Sequence, residues 1–131
     1  MMSKAIRKII ETGLRNLLTT FNEDPFFIAA NISFSKNFDH FVDRIFERKI
    51  DEVNMLKLLK SIVVQNKCQL VYCCNLENPP LRVNFKNKDM VIGMTLHVDD
   101  EGIKRLRLRT IVENFATRMD SRISTFVITE P

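Results

Sequence analysis

The hydrophobic pattern of this chain changes its period once, near residue 66, and that change limits the folds open to it. Before it, apolar residues recur every three or four positions; after it, they alternate. A helical half followed by a strand half predicts an α+β domain, because each apolar face needs the other to cover it. The expected architecture is about three N-terminal helices packed on a C-terminal antiparallel meander sheet of about five strands. With 131 residues the chain forms a single α+β domain over residues 1–131.

Three segments carry the helical period. Residues 3–22 place Ile6, Ile9, Ile10, Leu14, Leu17, Leu18 and Phe21 on one stripe, with Ser3 as N-cap and Lys4, Lys8, Glu11 and Arg15 opposite. Residues 36–48 follow Ser35 as cap, with Phe38, Phe41, Val42, Ile45 and Phe46 inward. Residues 52–64 follow Asp51, with Val53, Leu56, Leu59, Ile62 and Val63 inward. Between the first two, "FFIAANISF" at 26–34 fits either a short helical turn or a short strand.

The second half predicts strands at 68–75, 81–86, 90–98, 103–112 and 122–129, with a turn near 118–121. Asn87-Lys88 fits a two-residue hairpin loop, which pairs Phe85 with Met90, Val83 with Ile92 and Leu81 with Met94. Asp100-Glu101-Gly102 fits a three-residue loop with Gly102 left-handed, which pairs Leu96 with Leu106 and Met94 with Leu108. Both registers put Leu81, Val83, Phe85, Met90, Ile92, Met94, Leu96, Leu106, Leu108 and Val112 on one face. Arg82, Asn84, Lys86, Val91, Gly93, Thr95, His97, Arg105, Arg107 and Arg109 fall on the other.

The order of these elements resembles the nuclear transport factor 2-like, cone-shaped α+β domain: a long first helix, an aromatic-rich piece at 26–34, a helix at 36–48, then long antiparallel strands. That resemblance implies either a polar pocket in the cone, used by dehydratases, isomerases and ligand binders, or a filled cone used for dimerisation and protein binding. The face expected to look inward is Phe, Met, Leu, Ile and Val throughout, which favours the second use.

Several chemistries are not supported. Gly13, Gly93 and Gly102 are scattered, so no glycine-rich phosphate loop is present, and neither HExxH nor GxSxG occurs. Cys68, Cys73 and Cys74 are odd in number and form no CxxC; read as strand residues, Cys73 and Cys74 point to opposite faces and share no ligand. His97 with Asp99, and His40 with Asp39 and Asp43, read as solvated polar clusters. The expected catalytic, metal and cofactor residues are therefore none.

The remaining feature is the basic face of "IKRLRLRTIV". Arg105, Arg107 and Arg109 project at intervals of about 6.8 Å, with Arg82 and His97 as expected neighbours and an open spot at Gly93. These five residues, Arg82, His97, Arg105, Arg107 and Arg109, are the candidate partner-binding set. The expected function is a non-catalytic interaction domain that binds a protein partner or forms a homodimer. The alternatives are an enzyme with a cavity under the sheet and a binder of the RNA backbone, the latter weakened by a lack of aromatic platforms for bases. A net charge of +4 agrees with an anionic partner. No apolar run is long enough to span a membrane and no signal-like apolar core is seen, so a cytoplasmic location is expected, with the nucleus or a mitochondrial presequence as alternatives.

Overall fold

The computed structural model describes residues 4–113 and 125–129. The expected cap at Ser3, the turn at 118–121 and the strand start at 122–124 lie outside the described residues. Ten elements run in order: α1 (Lys4–Glu23), α2 (Pro25–Ala29), β1 (Ile32–Phe34), α3 (Asp39–Glu47), α4 (Glu52–Val64), α5 (Lys67–Cys74), β2 (Arg82–Lys86), β3 (Met90–Val98), β4 (Lys104–Glu113) and β5 (Thr125–Thr129). The fold is α+β, but the sheet is not the expected antiparallel meander. Its order is β1-β4-β3-β2-β5, and both edge strands, β1 against β4 and β5 against β2, run parallel to their neighbours. Only the central β2-β3-β4 unit is an antiparallel meander. Five helices, not three, are present among the described residues.

Each difference has a local cause. The 26–34 segment is both of the structures it fits. Asp24 accepts from the Phe26 N–H and Pro25 opens α2, while Asn31 takes a left-handed φ of 57° and turns the chain into β1. β1 is held from its other side by Asn22 of α1, whose side chain donates to the Phe34 carbonyl (3.0 Å) and accepts from the Phe34 N–H (2.7 Å). "CQLVYCC" is a helix and not a strand. Its buried residues, Leu70, Cys73 and Cys74, follow helical spacing, so the two adjacent cysteines both face the core. The Cys73 Sγ–H donates to the Leu70 carbonyl, and the adjoining Cys73 thiol together with burial pushes the Cys74 thiol far up.

The β3-β4 hairpin pairs as expected up to Met94↔Leu108, with Gly102 at φ 82°. Beyond it a bulge at Gly93/Met94 leaves Arg109 as the extra residue and pairs Gly93 with Thr110. The bulge turns Ile111 inward, where it is fully buried, in place of the expected Val112. The β2-β3 register is shifted by two residues, with Val83 opposite Met94 and Phe85 opposite Ile92. The loop takes four residues because Asn87 binds it from within: its side chain accepts from the Asp89 and Met90 N–H groups, and its own N–H donates to the Met90 carbonyl. A shift of two preserves the faces. Leu81, however, precedes the strand and is 62% exposed.

The core lies between the sheet and the helices. Val83, Phe85, Met90, Ile92, Met94, Leu106, Leu108 and Ile111 are buried against Leu14, Leu18, Phe21, Phe41, Ile45, Leu59 and Ile62. The helix stripes are rotated from their expected settings. In α1, Ile6 and Ile9 are 48% and 70% exposed; in α4, Met55 and Leu58 are buried while Val53 is 56% exposed. The α3 cap is Phe38, not Ser35, which closes a small turn by accepting from the Asn37 N–H. Among the described residues these side chains are packed between the sheet and the helices. A groove of about 540 Å³ lies between α1 and α4, lined by Gly13, Leu17, Leu56, Lys57 and Lys60 among others.

Candidate functional site

The five sequence-expected residues fall on one outer sheet face, in rows fixed by strand register. The first row is Ser33, Arg105 and His97; the next is Arg107, Thr95 and Arg82. The bulge sets Arg109 beside Thr110 on the same face, because Leu108 before them and Ile111 after them both point inward. The spot over Gly93 is not open. A Cβ there would collide with Thr110 Oγ1 and come within 2.9 Å of Asn84 Oδ1, so glycine is needed for these two side chains to cross the strand.

The arginines differ in how much of their charge is committed. Arg105 is paired with Asp99 through Nε (3.0 Å) and a terminal nitrogen (2.9 Å). Asp99 is held below the usual carboxylate range, first by the Ile103 N–H, then by the Glu101 N–H and Arg105. Arg107 donates through Nε to the Asn37 carbonyl (3.1 Å), a neutral acceptor that leaves its charge uncompensated. Arg109 is exposed and makes no hydrogen bond or ion pair among the described residues. Arg82 is half-buried, with its Nε enclosed and unpartnered among the described residues.

The structure adds a neighbouring surface that the sequence reading passed over. β1 covers β4 only through Leu106, and α3 lies along the rest of that edge, where Arg48 donates to the Ile111 carbonyl at 2.7 Å. Arg44 and His40 stand one and two turns before Arg48, on the same flank of α3. Asp43, three residues after His40, shares its side of the helix and is bound by Arg7 of α1, which reaches the Asp43 carboxylate (2.7 Å) and the Asp39 carbonyl. His40 is exposed and one turn past Asn37, whose carbonyl holds Arg107. Arg15 adds charge at this corner, its guanidinium 5.7 Å from the Phe38 ring. Phe38 gives α3 no side-chain cap for the first amide N–H groups of the helix. The signal in the sequence was the spacing of His40, Arg44 and Arg48 at four-residue intervals.

Arg82, Arg107 and Arg109 on the outer sheet face, and Arg15 near the start of α3, make no ion pair among the described residues, and His40 lies one turn past the Asn37 carbonyl that Arg107 binds. Such a surface can hold phosphate oxygens and place a proton donor or acceptor beside them. Among the described residues, no three His, Cys, Asp or Glu side chains gather as a metal site, and no helix is long and apolar enough to cross a membrane.

No curated protein and no solved structure matches the chain. A family does match, over residues 2–129: the T4 phage endoribonuclease RegB. This corrects the reading of a non-catalytic interaction domain, since the family is one of RNA-cleaving enzymes, and it gives no support to the nuclear transport factor 2-like resemblance. A match across nearly the whole length, on a fold whose outer face is basic, means that the chain belongs to the T4 phage endoribonuclease RegB family.

Proposed function

We propose that this chain cuts RNA endonucleolytically, with the strand lying across the outer face of β3 and β4 and against the exposed flank of α3. The observation that carries cleavage is the family match along residues 2–129. The location is supported by the uncommitted charges of Arg107 and Arg109 on the outer face, and by the bond from Arg107 to Asn37, one turn before His40.

RNA contains its own nucleophile. When a base removes the 2′-hydroxyl proton, that oxygen attacks the adjacent phosphorus. The bond to the 5′ oxygen breaks, an acid protonates that oxygen, and the products are a 2′,3′-cyclic phosphate and a 5′-hydroxyl. Negative charge grows on the phosphoryl oxygens meanwhile, and fixed cations stabilise it. Of the two histidines, His97 shares a row with Arg105, whose charge Asp99 already holds. His40 lies three residues after Asn37, whose carbonyl holds Arg107, a cation with no ion pair among the described residues. We therefore assign proton transfer to His40, phosphate binding to Arg107 and Arg109, and strand positioning to Arg82, His97 and Arg105.

The test is incubation of the purified chain with end-labelled single-stranded RNA, followed by mass spectrometry of the product ends. Cyclic phosphate ends are expected. His40→Ala is expected to lower the cleavage rate about 100-fold or more while RNA binding is retained; His97→Ala stays within a few-fold of the parent. Absence of cleavage by the parent protein near neutral pH would overturn the reading. Full activity in His40→Ala would remove the assigned role.

A further inference from the structure

The end of the molecule where α2, α5 and the start of β4 meet is unlike the rest of its surface. Lys104 ties it together: its ammonium donates to the Ala30 carbonyl after α2 (3.1 Å) and to Asn75 Oδ1 after α5 (2.7 Å). Both acceptors are neutral, so the positive charge stays uncompensated, and an ammonium has three N–H donors, of which these contacts use two. One turn before Asn75, the only tyrosine of the chain, Tyr72, stands 64% exposed on the outer ridge of α5. On α2, Phe26 is 41% exposed, with the Lys67 ammonium 5.5 Å from its ring centre, and Ile28 is 56% exposed. The Lys67 ammonium is paired with Asp24 (2.9 Å), so Lys104 is the cation of this end without an acidic partner among the described residues. An exposed aromatic ring near such a cation is what single-stranded nucleic acid binds: the cation takes a phosphate, and the ring takes the flat face of a base.

This end lies around the sheet edge from the proposed RNA path. Arg105 and Lys104 are consecutive in β4 and point to opposite faces, Arg105 outward and Lys104 toward Ala30 and Asn75, and Ile32↔Lys104 and Ser33↔Arg105 set both beside the short edge strand β1. A strand that leaves the outer face and turns over this edge reaches Lys104.

We infer that Tyr72 and Lys104 form a second nucleotide subsite, in which Tyr72 stacks on an unpaired base of the RNA and the third N–H of Lys104 contacts its phosphate. Phe26 and Ile28 widen the apolar floor of the subsite. This rests on the RNA reading above and adds a requirement to it: the preferred substrate is single-stranded for a few nucleotides to one side of the cut. Because the subsite lies away from His40, it acts on binding and not on the chemical step.

The experiment compares the parent protein with Tyr72→Leu and Tyr72→Phe, whose exposed position leaves the core untouched. The probe is a single-stranded oligoribonucleotide of about 12 nucleotides carrying 2-aminopurine at successive positions. The parent is expected to quench the fluorescence at one position outside the cut. Tyr72→Leu is expected to abolish that quenching and raise KM about tenfold with kcat unchanged, while Tyr72→Phe restores both. Unchanged quenching and KM in Tyr72→Leu would overturn the inference, whatever partner that face then serves. Quenching that depends on Tyr72 without any cleavage would uphold the subsite and overturn the nuclease reading alone; absence of RNA binding by the parent would overturn both.

Discussion

The pairing of Arg105 with Asp99 makes a gain of RNA binding predictable from a single atom pair. Two Asp99 oxygens do different jobs. Oδ1 accepts the Glu101 and Ile103 N–H groups, which holds the hairpin loop; Oδ2 accepts only from Arg105. Asp99→Asn keeps a carbonyl oxygen for the loop and puts a neutral amide before the guanidinium. Arg105 is then free to act on phosphate as Arg107 and Arg109 do. Each phosphate neutralised on single-stranded RNA adds about 0.7 to the magnitude of the slope of log K against log salt concentration. With Arg82, Arg107 and Arg109 uncommitted, the parent slope from this face is about −2. Asp99→Asn is expected to steepen it by about 0.7, and Arg109→Gln to flatten it by about the same amount. Arg105→Gln removes a charge already neutralised and uncovers Asp99, so it weakens binding at low salt without the full drop in slope. Fluorescence anisotropy of labelled RNA over a series of potassium chloride concentrations reads all four proteins. A slope that falls more for Arg105→Gln than for Arg109→Gln, or does not steepen in Asp99→Asn, would refute this division of the arginines.

Further outcomes follow from the packing. Gly93→Ala drives a methyl group into Thr110 and Asn84, and is expected to destabilise the protein by about 1–3 kcal/mol in urea unfolding; the double variant with Thr110→Ala recovers part of that loss. Asn22→Ala leaves the Phe34 N–H and carbonyl without their side-chain partner and costs about 1–3 kcal/mol by the same measurement. Phe41→Ala empties a fully buried site between α3 and β4 and costs about 3–5 kcal/mol. Asp24 is held below the usual carboxylate range by the Lys67 ammonium and then the Phe26 N–H. Its contribution is therefore complete above about pH 4 and is lost as the pH falls through its lower folded value; melting temperatures below that point decline less steeply in Asp24→Asn.

What the sequence made legible was local. The helix at 52–64 has the limits that the structure gives it, because Asp51 caps it by accepting from Val53 and Asn54. The β3-β4 hairpin was readable because Gly102 marks its loop. The helix at Lys67–Cys74 was misread because eight residues of mixed apolar type fit either period, and its helical signal lay in Leu70, Cys73 and Cys74 alone. The parallel pairings of β1 and β5 leave no local trace, since register between distant segments is decided by packing of the whole sheet. At the site, Arg82, His97, Arg105, Arg107 and Arg109 were legible as one face by alternation. His40 reads in the sequence as part of a solvated polar cluster with Asp39 and Asp43, because its place near Arg107 depends on how α3 meets the sheet edge, where Arg48 reaches a carbonyl of β4.

The edge position of β1 also bears on how the chain is made. Ile32 and Phe34 are buried early in the sequence, yet their strand partners, Lys104 and Leu106, lie near its other end. During synthesis from the N-terminus, β1 has no sheet to join until the β3-β4 hairpin has emerged. Until then α1 and α2 can hold it through Asn22 and through the Phe21 and Phe27 rings, which meet the Phe34 ring edge to face. The nascent chain therefore carries an unpaired apolar edge through most of its translation, and closing it late binds the helical half to the half that carries the arginines.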